Sequence, residues 1–156
     1  MPDPGTYTPP AGHHFLTPFY DAGVRLSTRE RVWRSALVEI ISPKSGDILL
    51  DIGAGTGSLA LVLALKNPAT SYFGIDPDRH AVAIARKKAR RAAIKAEFAQ
   101  GLFSADTAAD WPAPTLATLC LVLHQVPLDE KLRLLLEIHS ILRTAGRLYI
   151  ADYGEQ

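Results

Sequence analysis

One cysteine, Cys120, occurs in the 156 residues. A single thiol excludes an internal disulfide and any zinc site built on cysteines, and such sparing use suits a reducing cytoplasm. The chain also lacks an excess of either charge, since 17 Lys and Arg stand against 16 Asp and Glu, a formal net charge of +1. No overall field therefore argues for nucleic acid or an anionic membrane as partner. No apolar run approaches the roughly 20 residues that a membrane-crossing helix needs. The start, Met1-Pro2-Asp3-Pro4-Gly5, has neither a basic nor an apolar stretch, so nothing in it suggests export.

What is present reads as one soluble globular domain, with 47% apolar and 21% charged residues. Residues 1–12 hold four prolines and two glycines without apolar periodicity. A tail and lid-like segment is expected over 1–26 and a core over 27–156. His13 and His14 are adjacent and read as a surface pair, and no metal site is expected. Ser27 and Glu30 have capping-box spacing. Val32, Trp33, Ala36, Leu37, Ile40 and Ile41 then repeat with helical period, until Pro43, Ser45 and Gly46 end the helix.

Residues 48–52 read as a buried strand, 53–57 as a glycine turn and 58–66 as an apolar helix closed by Asn67-Pro68. Further strands are expected over 71–75, 96–100, 116–123 and 147–151. Helices are expected from Asp78 to about 93 and from about 129 to 142, and an irregular stretch over 101–114. Strands alternating with helices favour a parallel sheet with helices on both faces.

The most informative segment is Leu49-Leu50-Asp51-Ile52-Gly53-Ala54-Gly55-Thr56-Gly57. Glycines between a strand and a helix let a ligand approach the backbone, although a plain tight turn has the same composition. Asp76, about 20 residues on and at the end of the next strand, can accept hydrogen bonds from both ribose hydroxyls, or can simply turn the chain before Pro77. Dinucleotide sites favour G-x-G-x-x-G, whereas here Ser58 holds the sixth place. A carboxylate at Asp51 would repel a pyrophosphate. It suits a ligand with an ammonium group and no phosphate, which S-adenosylmethionine is.

Asp51 to Gly57 resembles the first motif of the class I S-adenosylmethionine-dependent methyltransferases, and Gly74-Ile75-Asp76-Pro77 their second. Leu121-Val122-Leu123-His124-Gln125-Val126 is similar to the family segment after the fourth strand. Leu142-Arg143-Thr144-Ala145-Gly146-Arg147-Leu148 is similar to the turn before the fifth. The resemblance runs from about Ser27 to Asp152. It implies a three-layer, Rossmann-like α/β domain with strand order 3-2-1-4-5, lacking strands 6 and 7 of the family's seven. It places Asp51 near the methionine amino group, Gly53, Ala54, Gly55, Thr56 and Gly57 along the methionyl and adenosyl parts, and Asp76 with Pro77 at the ribose. Gly101 and Leu102 would hold the adenine, and Leu121 would border the cofactor after the fourth strand. Many relatives have Gly-Asp where this chain has Gly101-Leu102, and Asp106 would stand in only through a different loop path.

His124 falls at the carboxyl edge of the sheet, as a base toward an acceptor or as a structural histidine. Tyr20 is a candidate for cation–π contact with the sulfonium, whereas Trp33 reads as core. The basic run Arg79, Arg86, Lys87, Lys88, Arg90, Arg91 and Lys95 has no interleaved aromatics and reads as a solvated face rather than a nucleic-acid surface. Cys120 reads as inert packing.

The expected activity is methyl transfer to a small-molecule acceptor that the sequence does not identify. The alternatives are a module that binds the cofactor without turnover and, less in keeping with Asp51, an NAD-dependent oxidoreductase. Strand 147–151 would be a sheet edge with Arg147 as its one charge, which invites self-association.

Overall fold

The structure is a computed structural model that describes residues 30–152. The expected tail over 1–26, with His13, His14 and Tyr20, and the Ser27 cap lie outside the described residues. The elements are α1 Glu30–Ile41, β1 Ile48–Ile52, α2 Ser58–Lys66, β2 Ser71–Asp76, α3 Arg79–Ala92, β3 Ala96–Gln100, β4 Leu116–Cys120, α4 Leu128–Ile141 and β5 Arg147–Ala151. Single 3-10 turns cover Asp106–Ala108 and Leu123–Gln125. All strand pairs are parallel, and the order is β3-β2-β1-β4-β5. This is the expected Rossmann-like α/β arrangement.

Central parallel strands are covered on both faces and so read as unbroken apolar runs, as Ile48-Leu49-Leu50-Asp51-Ile52 nearly does. Alternation along β1 feeds two cores. Leu49 joins Leu37, Val38 and Ile41 of α1, Leu59 and Leu63 of α2, and Val82 and Ala85 of α3. Leu50 and Ile52 join Phe73, Ile75, Ala117 and Leu119, closed by Ile138 of α4. The sheet is thus the middle of three layers.

Two local features, the buried stripe of α1 and the end of β4, differ from expectation. The buried stripe of α1 is Leu37, Val38 and Ile41, while Val32 and Ile40 are exposed. The apolar residues of α1 span more than one face, and packing on the core rather than period selects which is used; Trp33 is half-buried against the same cluster. Strand β4 stops at Cys120, because Leu121 turns into the left-handed region at φ 58°. Helix α4 starts at Leu128, directly after Pro127 at its cap. Asp78 caps α3 as its spacing suggests, accepting from the amides of His80 at 2.8 Å and Ala81 at 3.4 Å.

Candidate active site at the carboxyl end of the sheet

Gly53, at φ 75°, is required twice over. The left-handed region favours glycine, and a Cβ there would lie 2.3 Å from Val122 Cγ2. The segment after β4 is therefore pressed onto the turn after β1. Gly55, at φ 54°, has nothing within 4 Å of the corresponding position, so the turn is open above it.

The amides of the turn point inward. Those of Gly53 and Ala54 donate to the Ile75 carbonyl at 2.9 and 3.1 Å, and that of Gly57 to the Ala54 carbonyl at 3.0 Å. The Gly55 amide donates to Asp76 Oδ2 at 2.8 Å. Thr56 is buried, and its hydroxyl accepts from Lys88 Nζ at 2.7 Å. Lys88 thus leaves the solvated face that its sequence context suggests and braces the turn from α3.

Asp76 is the last residue of β2 and 8% exposed. Its other oxygen accepts from the Asp78 amide at 2.9 Å. Burial pushes its carboxyl up to about 6, against these two amides and with some help from Asp78 and Asp51. Pro77 leads from it into the α3 cap. The Gly101 amide donates to the Asp76 carbonyl at 3.0 Å, which brings the exit of β3 alongside. Next to it Leu102 is 57% exposed, and Asp106 is exposed at the start of its 3-10 turn. An apolar side chain, not a carboxylate, adjoins Gly101 at this corner.

Asp51 is 1% exposed. Tyr72 OH donates to its Oδ2, and Thr118 Oγ1 donates to its Oδ1 at 2.7 Å. Burial raises its carboxyl above the ordinary range despite these hydroxyls and the charge of Arg34. Asp51 pairs in register with Gly74 on β2 and Thr118 on β4, so the cluster ties the three central strands together beneath the turn. Tyr72 and Thr118 escape the sequence reading because their meeting with Asp51 depends on strand register.

On the β4 side, the Leu121 amide donates to the Ala151 carbonyl at 2.8 Å. Two residues past Val122, His124 meets Asp152: Nδ1 lies 2.7 Å from Oδ1, and the His124 amide donates to Oδ2 at 3.2 Å. Asp152, 28 positions downstream, is the partner that no local pattern announces. Cys120 is buried, and burial followed by Asp51 pushes its thiol up, which makes it inert. Among the described residues no group of three or more His, Cys, Asp and Glu is placed to hold a metal, and no helix is long and apolar enough to cross a membrane.

These features fit an adenosyl cation better than a dinucleotide. Anion sites of this type present outward amides, whereas those of Gly53, Ala54, Gly55 and Gly57 are already engaged within the protein, and the Asp76 carboxylate lies against the turn. An acid with a raised pKa gains most from new hydroxyl donors, which favour its charged form.

Residues 50–148 match a family model described as a methyltransferase domain. The chain is 27% identical over 141 residues to a demethylmenaquinone methyltransferase of Thermus thermophilus, covering 88% of this chain and 62% of that protein. It therefore spans less than two thirds of that relative's length. A solved RNA methyltransferase from Salinibacter ruber, in complex with S-adenosylhomocysteine, superposes with a TM-score of 0.59 at 27% identity, over 75% of this chain and 72% of the other. The [4+2]-cyclase SpnF superposes at 0.67 with 28% identity, over 78% and 44%.

Proposed function

The chain belongs to the methyltransferase domain family, and from that membership we propose that it binds S-adenosylmethionine over its glycine turn and transfers the methyl group to a small-molecule acceptor. S-adenosylmethionine is the family's methyl donor. The observation that carries the reading is the turn itself, folded inward onto Ile75 and Asp76, open above Gly55, with a desolvated carboxylate at its rim.

In this reading Asp76 accepts from the ribose hydroxyls. Gly53, Ala54, Gly55, Thr56 and Gly57 line the methionyl and adenosyl parts. Pro77 stays with Asp76 at the ribose, and Gly101 and Leu102 border the adenine, with Leu102 packing against the ring in place of a carboxylate. Asp51, engaged by Tyr72 and Thr118, acts on the amino group through its charge from beneath the turn. Leu121 borders the methyl group. Displacement at a methyl carbon needs alignment and exclusion of water more than acid–base chemistry. A small-molecule acceptor is supported by the quinone named for the Thermus relative.

Calorimetry with S-adenosylmethionine, S-adenosylhomocysteine and NAD tests the cofactor. Both sulfur compounds are expected to bind more tightly than NAD, and tighter NAD binding overturns the reading in favour of an oxidoreductase. Radiolabel transfer to a panel of small-molecule acceptors tests turnover. Tight binding without any transfer would favour a cofactor-binding module, a role compatible with the fold's use in a cyclase.

A further inference from the structure

The geometry points to His124 and Asp152 as a proton-accepting pair for the transfer proposed above, His124 meeting the acceptor and Asp152 positioning it; the assignment rests on that reading. The strand order puts the topological switch point between β1 and β4, which is where open α/β sheets bind ligands. Leu121, the first residue past β4, holds φ 58°. That conformation costs a leucine about 1–2 kcal/mol, and strain of this kind gathers at functional sites. The reversal lays Val122 on Gly53, filling the space of a Cβ, and brings His124 over the end of β5.

Both oxygens of Asp152 grip the same residue, one at the ring and one at the main-chain amide. The ring is therefore fixed in position and in tautomer. With a carboxylate at Nδ1, that nitrogen carries the proton, and the neutral imidazole has its lone pair on Nε2. The side chains are 35% and 11% exposed for His124 and Asp152, so the carboxylate is sheltered while the ring reaches outward. Asp152 is also felt by the buried Cys120 thiol of β4, which Asp51 of β1 and Arg34 of α1 act on as well.

A base here selects an acceptor with a removable proton on the methylated atom, such as a phenol or a reduced quinone, over a tertiary amine or a thioether. S-adenosylmethionine, when bound, supplies the methyl group, and its sulfur keeps the electron pair of the broken C–S bond. The acceptor atom forms the new bond with its own electrons. Its proton passes to His124 Nε2 while the former X–H pair stays on the acceptor. The imidazolium forms against Asp152 and returns the proton to water.

The test uses the whole chain with radiolabelled S-adenosylmethionine and three acceptors: 1,4-naphthohydroquinone, menadiol and catechol. His124→Gln is expected to lower kcat by about 10²–10⁴-fold, the usual worth of a general base. It should leave affinity for S-adenosylhomocysteine unchanged, a split between turnover and cofactor binding that a merely structural residue would not give. Asp152→Asn should lower kcat less, because the amide still hydrogen-bonds the ring but no longer presents a carboxylate to it. Variants with the wild-type kcat overturn the pair while leaving the methyltransferase reading intact. A wild-type chain that binds S-adenosylhomocysteine and methylates none of the three overturns turnover on small molecules, and the pair with it.

Discussion

At Asp76 one carboxyl does two jobs that pull in opposite directions. A pKa raised from 3.8 to about 6 means that the folded chain binds the proton more tightly than the unfolded chain. The stability this contributes is complete below about pH 4 and lost by about pH 6, so at neutral pH the ionised group costs roughly 3 kcal/mol. A ligand that donates hydroxyls to the carboxylate offsets that cost, and protons then compete with it. Affinity for S-adenosylhomocysteine should be flat above pH 7 and weaken by about tenfold per unit below pH 6. Calorimetry across that range checks it, and a flat profile would detach Asp76 from the ligand. Asp76→Ala should lose about 1.5–3 kcal/mol of binding, roughly tenfold to a few hundredfold. An unchanged dissociation constant in the folded variant would reduce Asp76 to a turn residue.

Gly53 makes the other residue-scale prediction. Gly53→Ala adds a methyl group 2.3 Å from Val122 in a left-handed conformation. Strain and overpacking together should cost about 2–4 kcal/mol, or roughly 5–15 °C in Tm. A melting temperature within a degree of wild type would mean that the segment after β4 shifts freely.

Among the elements, α3 offers a test independent of function. It ends in Ala93 at φ 51° and ψ 39°, whose amide donates to the carbonyls of Ala89 and Arg90. Helices favour glycine at such a left-handed cap. Ala93 is exposed, so Ala93→Gly removes little packing and should stabilise the chain by about 0.5–1 kcal/mol, seen as a Tm increase of a few degrees. A fall in Tm would show that the looser unfolded chain outweighs the relieved strain.

The elements also show how far local pattern carries. β1, α2, β3 and β5 fall where their apolar runs and flanking glycines place them. β4 does not extend through Leu121-Val122-Leu123, although these residues are as apolar as the strand before them. The chain leaves the sheet there because Val122 packs on Gly53, a contact made 69 positions away that no window of sequence contains.

At the scale of the whole molecule, the described residues leave β5 without a partner on its outer side. On α4, Leu128, Leu132 and Leu136 are 82%, 65% and 60% exposed, at helical spacing. Ile150 is 48% exposed and shares with Leu148 the sheet face that α4 covers. Exposed apolar side chains thus stand on both α4 and the edge strand, and unpaired edges recruit other chains. We expect the 156-residue chain to self-associate through this side as its concentration rises. Light scattering over a concentration series checks it, and Leu132→Glu with Ile150→Lys should return the chain to the monomer. A strictly monomeric wild type would show that this edge is protected.

The sequence by itself determined the alternation of strands and helices, the glycine turn, the cap at Asp78 and the place of Asp76 at the end of a strand. Each depends on residues within a turn or two of one another, where period, glycine freedom and short side-chain caps act directly. Tertiary structure alone decided which stripe of α1 is buried, that Lys88 braces Thr56, that Asp51 is gripped by Tyr72 and Thr118, and that His124 meets Asp152. Those outcomes depend on the register between strands and on which helix covers which face. They are set by the joint packing of segments far apart in the chain, where moving one strand by a residue would exchange every partner.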